Sequence, residues 1–125
     1  MLTYADIARV CHEANRAYQH LLRNQDIAVA APWDDIGEEM QQSVISGVRG
    51  VIQGRTPEQS HADWCDFKTK HGWVYGPTKS EVTLTHPNLV PYERLSVAER
   101  AKDVLFANIV HALSSQLGAE DTRPL

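Results

Sequence analysis

Apolar residues recur at three- and four-residue steps along the first part of the chain, at Tyr4, Ile7, Ala8, Cys11, Ala14, Tyr18, Leu21 and Leu22, which predicts an amphipathic helix with one core-facing stripe. A second stripe, Ile36, Met40, Val44, Val48, Val51 and Ile52, predicts a helix that ends near Gly54. Asp34 or Asp35 can cap its start, and Glu38 and Glu39 suit the positive end of its dipole. The third helix is read from its cap. Thr56, Pro57 and Gln59 form an N-cap, first helical position and capping-box partner, and the helix should run to about Lys70. His61, Trp64, Cys65, Lys68 and His71 then share a face. Ser96 and Glu99 make a similar box for a last helix, with Val97, Ala101, Val104, Leu105, Ile109, Ala112 and Leu113 expected inside. Arg100, Asp103 and His111 are expected on its opposite side, and Gly118 closes it.

Between the third and last helices the pattern changes. Extended pieces at Trp73 to Tyr75 and Glu81 to Thr85, separated by Gly76-Pro77 and Lys79-Ser80, predict an irregular hairpin within Gly72 to Thr85. Pro87 and Pro91 hold the following HPNLVPYERL run extended, while Arg23 to Trp33 reads as a loop whose Pro32 restricts Ala31. The expected fold is mainly α, a compact bundle of about four helices with a short irregular β-hairpin. It forms one domain over residues 1–117, followed by a mobile polar tail at 118–125.

The composition narrows the function classes. A chain of 125 residues can bury a core without disulfide or metal staples, and a formal net charge of −4 disfavours binding to bulk nucleic acid, which needs a cationic surface. The start carries Asp6 and Glu13 and no continuous apolar run, so neither a signal peptide nor a membrane span is expected and the protein is placed in the cytoplasm. Cys11 and Cys65 show no pairing pattern and read as reduced thiols. His61 and Cys65 stand four apart, but no CxxC, HxxxH or HExxH accompanies them, so no metal or other cofactor is expected. P-loop, GxGxxG, GxSxG and spaced acid pairs are also missing, which argues against an enzyme.

The candidate site lies in Trp64 to Tyr92. Gly72 and Gly76 bracket Trp73 and Tyr75, whose alternate spacing puts both rings on one face of an extended segment. Lys68, Lys70, His71 and Lys79 lie close in sequence, so an aromatic platform edged by cations is expected, suited to a planar anionic ligand. In this reading a ring stacks on Trp73, Tyr75 shapes the wall, Lys68, Lys79 and Arg16 supply cationic donors, and His86 and Asn15 make polar contacts. Plain packing is the other account of several of these residues. Trp64 belongs to the core, Trp73 fits either role, Asn15 reads as a buried amide and Arg16 as a snorkelling surface charge.

HEANR at His12 to Arg16, Pro32-Trp33, the H-x-x-W at His61 to Trp64, GWVYGP, THP-x-LVPY and a last helix containing AKD together resemble the RyR domain. That domain occurs as tandem pairs in the cytoplasmic shell of ryanodine receptors and as single copies in bacterial and phage proteins, and the likeness spans Tyr4 to Leu113. The resemblance implies a compact, mainly helical domain without catalytic activity that recognises nucleotide-like ligands, with the tryptophan of GW-x-YGP, here Trp73, at an aromatic nucleotide site. It does not carry over a calcium channel. With a single copy, a site formed between copies would need one domain or a homodimer. Two readings stand, a module for nucleotide-like small molecules and a protein-interaction domain using the same aromatic surface; a small nucleotide-acting enzyme is a third.

Overall fold

The computed structural model describes residues 1–22 and 29–118. Four helices carry the fold: α1 (Tyr4–Leu21), α2 (Glu38–Ile52), α3 (Pro57–Lys70) and α4 (Val97–Leu113). Between α3 and α4 stand two short strands, β1 (Val74–Tyr75) and β2 (Thr85–His86). Helix α1 begins at a reciprocal capping box between Thr3 and Asp6, and α3 at the expected one between Thr56 and Gln59. Each box satisfies N–H groups that the first turn leaves without intrahelical partners.

Helices α1, α2 and α4 enclose the core. Ile7, Val48 and Val110 are fully buried in it, joined by Tyr4, Ala8, Cys11, Ile45, Val51, Trp33 and Leu117. Arg49 covers the edge of this core, its guanidinium 4.8 Å from the centre of the Tyr4 ring. Leu2 pairs with Leu117 in an isolated parallel bridge, and the Gly118 N–H donates to the Leu2 carbonyl at 2.9 Å, so the two ends of the described fold are tied together. Gly118 therefore belongs to the packed domain. The rest of the expected tail, 119–125, lies outside the described residues, as does the 23–28 part of the expected loop.

Helix α3 is built differently. Its only buried residue is His61, so it contributes little to the main core and instead forms, with the strands and the 86–92 segment, a second layer against α4. The two strands run parallel, Val74 opposite Thr85 and Tyr75 opposite His86, rather than as the antiparallel hairpin the turn residues suggest. The reason lies in the connection. Residues Glu81 to Leu84 make a turn that ends with Leu84 at φ 55°, and Ser80 forms an antiparallel bridge to Thr85, so the chain doubles back before β2 starts. Gly76 permits this approach, because a Cβ there would lie 2.6 Å from the Thr85 Cβ.

Four further expectations are corrected. Asp34 and Asp35 do not cap α2; they lie in a 3-10 turn over Trp33–Asp35, and Gly37 at φ 85° provides the N-cap. Met40 is exposed, and the buried stripe of α2 is Ile45, Val48 and Val51. Val97, Val104 and Ala112 of α4 are exposed while Val110 is buried and Phe106, Asp103 and Arg100 are half-buried, so the inward face is rotated from the all-apolar stripe. Helix α4 also stops at Leu113, and a 3-10 turn over Ser114–Gln116 leads to Gly118. None of the described helices is long and apolar enough to cross a membrane.

Candidate functional site

Two depressions flank α3 and share His61. One, a half-open cavity of about 350 Å³, lies between α1, α3 and α4 and is lined by Asn15, Trp64, His86, Asn88, Lys102 and Asp103, among others. The other is a groove of about 480 Å³ between α3 and the segments carrying Trp73 to Tyr75 and Leu89 to Tyr92. His61 is fixed as the partition by a 2.7 Å hydrogen bond from Nε2 to the Val90 carbonyl. Since a carbonyl only accepts, Nε2 carries the proton.

Aromatic rings continue outward from His61. Trp64 stacks on it at 5.7 Å between centres, His86 meets Trp64 edge-on at 4.9 Å, and Trp73 lies 6.3 Å from His86. Tyr92 approaches His61 from the groove side at 6.0 Å. The H-x-x-W, GW-x-YGP and HP-x-LVPY residues thus interlock as one unit. Trp64, expected in the core from sequence, is half-buried and lines the cavity between α1, α3 and α4.

The cations gather at the outer end of this row. Lys68 Nζ lies 4.6 Å from the centre of the Trp73 ring. Burial first, and then the charge of Lys79, push the Lys68 ammonium below its ordinary value, with Glu81 opposing. Burial, Lys79 and Lys68 likewise push His86 down to about 4, so its ring is neutral at neutral pH. Its Nδ1 accepts the Asn88 N–H at 3.0 Å. Neither Lys68 nor Lys79 has an ion-pair partner among the described residues. The Lys102 ammonium does, bonding to Glu99 at 2.6 Å, and the same Glu99 oxygen accepts from Asn88 Nδ2 at 2.9 Å. This diversion explains why Glu99 does not return to cap Ser96.

The structure therefore brings Trp73, Lys68, Lys79 and His86 together, places Tyr75 exposed beside Trp73 in the groove, and sets Asn15 with His86 in the cavity between α1, α3 and α4. Asn15 Oδ1 is buried there without a protein hydrogen-bond partner. Arg16 is engaged elsewhere. Its Nε donates to the Ala30 carbonyl at 2.9 Å and its Nη1 to Glu13 at 2.7 Å, while Glu13 accepts the Trp33 N–H at 3.0 Å and His12 Nε2 donates to Ala31 at 2.7 Å. The HEANR stretch is thus mainly a clamp on the Ala30 to Trp33 backbone, with Asn15 alone reaching the cavity.

Asp103 was placed outside by its charge, yet it lines the cavity, and burial raises its carboxyl to about 6 despite the opposing charges of His61 and Lys102. Neither Asp103 nor Tyr92 is a candidate in the sequence reading; the four-residue step from Glu99 to Asp103 and the aromatic content of the LVPY run were the available signals. Cys65 Sγ sits 3.3 Å from His61 Nε2, but that nitrogen already bears a proton directed at Val90, so it cannot take one from the thiol. Burial and Asp66 also push the Cys65 thiol up, and burial raises Cys11 to about 12, so both are poor nucleophiles. No group of three or more metal-binding side chains is assembled among the described residues.

Among known proteins, the family model described as the RyR domain matches residues 39–115. That span contains both depressions except for their contributions from α1. No curated protein and no solved structure matches the chain.

Proposed function

Because this chain belongs to the RyR domain family, we propose that it is a non-catalytic module that binds a nucleotide or nucleotide-derived small molecule. The observation that carries this reading is the position of Lys68, 4.6 Å over Trp73, with Lys79 close enough to depress both Lys68 and His86 and no carboxylate paired to either lysine among the described residues. Crowded cations that no carboxylate pairs with, and that Glu81 offsets only in part, favour an anionic ligand, which relieves their repulsion. The indole beside them offers a stacking surface for a base. Asn15 and His86 supply polar contacts at the cavity end, where the unpaired Asn15 oxygen accepts a hydroxyl or amino group. Arg16 is left out of the ligand's contacts because it bonds to Ala30 and Glu13 and lines neither depression.

The test is a thermal-shift and calorimetric series of nucleosides, mononucleotides and dinucleotides with the purified chain. A ligand that binds only the folded state raises its melting temperature by mass action. Phosphorylated members should shift it more than the matching nucleosides, and silence across the series would remove this reading. Exposed apolar side chains at Phe67, Val74, Tyr75 and Val82 favour a second function of the same region, docking of a protein.

A further inference from the structure

The groove between α3 and β1 has a chemistry opposite to that of the lysine cluster. No lysine or arginine lines it, its walls are largely apolar, and its charged residues are Glu58 and Asp66. Both acids are exposed, and neither has an ion-pair partner among the described residues. Their field reaches the groove's own groups. Burial raises the Tyr92 hydroxyl first and the charges of Asp103 and Glu58 raise it further, against Arg100, while Asp66 adds to burial in raising Cys65.

One wall is an open sheet edge. Val74 and Gly76 direct their N–H groups to the Leu84 and His86 carbonyls across the β1–β2 ladder, at 2.9 and 3.4 Å. The N–H of Tyr75 between them consequently points to the other edge, where no strand pairs with β1 among the described residues. Val74 and Tyr75 are each 58% exposed there. An unpaired edge beside an apolar groove is a template for an added strand.

The spacing of the acids fits such a strand. Glu58 and Asp66 are eight residues apart on α3, about 12 Å along the axis. In an extended peptide, residues four apart point to the same side about 13 Å apart. We propose that this groove docks an extended basic segment of a partner protein, which pairs with the free edge of β1 and sets two arginine or lysine residues, four apart, against Glu58 and Asp66. The apolar residues between them pack on Val90 and Tyr92. This site shares Trp73 and Tyr75 with the nucleotide reading but not its cations, since Lys68 and Lys79 do not line the groove.

The probe is the blocked peptide Ac-Gly-Arg-Val-Thr-Val-Arg-Gly-NH2, titrated into the isotopically labelled chain at low salt, with a control carrying Glu for both Arg. The basic peptide should bind, perturb Val74, Tyr75 and Val90, and slow hydrogen exchange at the Tyr75 amide. The double variant Glu58→Gln/Asp66→Asn should weaken it roughly three- to tenfold, the range for losing two surface ion pairs. Lys79→Ala should leave it unchanged, which separates this site from the anion site. The proposal is overturned if the basic peptide does not bind, if the Glu peptide binds as well, if the double variant binds equally, or if Tyr75 exchange is unaltered. Dimerisation of the chain alone, abolished in the double variant, would assign the face to a second copy and overturn it too.

Discussion

The carboxylate of Glu13 on α1 accepts the backbone N–H of Trp33 at 3.0 Å, and so holds in place the turn that delivers the Trp33 ring to the core. That bond first, and Arg16 second, lower the Glu13 carboxyl below its ordinary value of 4.5. A carboxylate with a depressed folded value contributes stability that is present above its unfolded value and is lost as pH falls through the folded one. Wild type should therefore lose urea resistance more steeply than Glu13→Gln as pH falls below about 4.5, and be the more stable of the two at pH 7. Parallel pH profiles for the two proteins would show that the bond carries no linked stability.

Gly76 is the tightest backbone approach in the β element. The side chain of Gly76→Ala would put a carbon 2.6 Å from Thr85 Cβ, an atom fixed to the paired strand, so β1 and β2 must part. Overpacking of this kind costs about 1–3 kcal/mol. Adding Thr85→Gly removes the obstructing carbon and should restore part of the ladder. Amide exchange at Val74 reports the outcome; an unchanged rate in Gly76→Ala would count against the close approach.

The parts of the fold that were legible in the sequence are those set by local chemistry. Thr56, Pro57 and Gln59 announce α3 because a capping box satisfies N–H groups within one turn, and the stripe of α1 shows its buried face from Tyr4 to Cys11, although Leu21 at its far end is exposed and Gln19 is buried instead. The inward side of α4 was misplaced because that helix faces two environments, the apolar core through Val110 and a polar cavity through Asp103 and Lys102. A stripe of apolar residues cannot register the second. The parallel register of β1 and β2 escaped for a related reason, since the turn at Glu81 to Leu84 depends on tertiary contact between Gly76 and Thr85. At the candidate site, proximity in sequence suggests the neighbourhood of Lys68 and Trp73 that the structure has, whereas the bond from Arg16 to the Ala30 carbonyl is a long-range contact that sequence patterns do not show.

Asp103 and His86 act on stability in opposite directions across the same acidic range. Asp103, raised from 3.8 to about 6, binds more protons in the folded state between those values, so its contribution falls as pH rises through them. His86, lowered from 6.5 to about 4, binds fewer, so its contribution rises with pH over that window. Asp103→Asn should therefore stabilise at pH 7, by about 1 kcal/mol once solvent screening is allowed for, and steepen the loss in acid. His86→Gln should flatten that loss. Melting temperatures of the three proteins from pH 4 to pH 7 decide it, and a wild-type profile matched by both variants would remove the coupling.

The nucleotide reading makes its sharpest prediction at the Lys68–Trp73 contact. A base stacked on an aromatic ring is worth about 1–3 kcal/mol by alanine substitution, so Trp73→Ala should weaken the best nucleotide from the screen roughly ten- to a hundredfold. The Lys68→Ala variant removes a charge rather than the stacking surface. Its loss should be larger for a phosphorylated ligand than for the bare nucleoside, and Lys79→Ala should show the same preference more weakly, because Lys79 is the more exposed of the two. Raising the salt concentration should erode the phosphate-dependent part of the affinity and spare the stacking part. Trp73 also packs in the row formed with His86, so its variant needs a control that separates folding from binding. Trp73→Phe keeps a ring in place and should retain the fold with an intermediate affinity. If Trp73→Phe and Trp73→Ala fold and bind as wild type does, Trp73 is not the platform; if Lys68→Ala weakens nucleoside and nucleotide equally, Lys68 does not meet the phosphate.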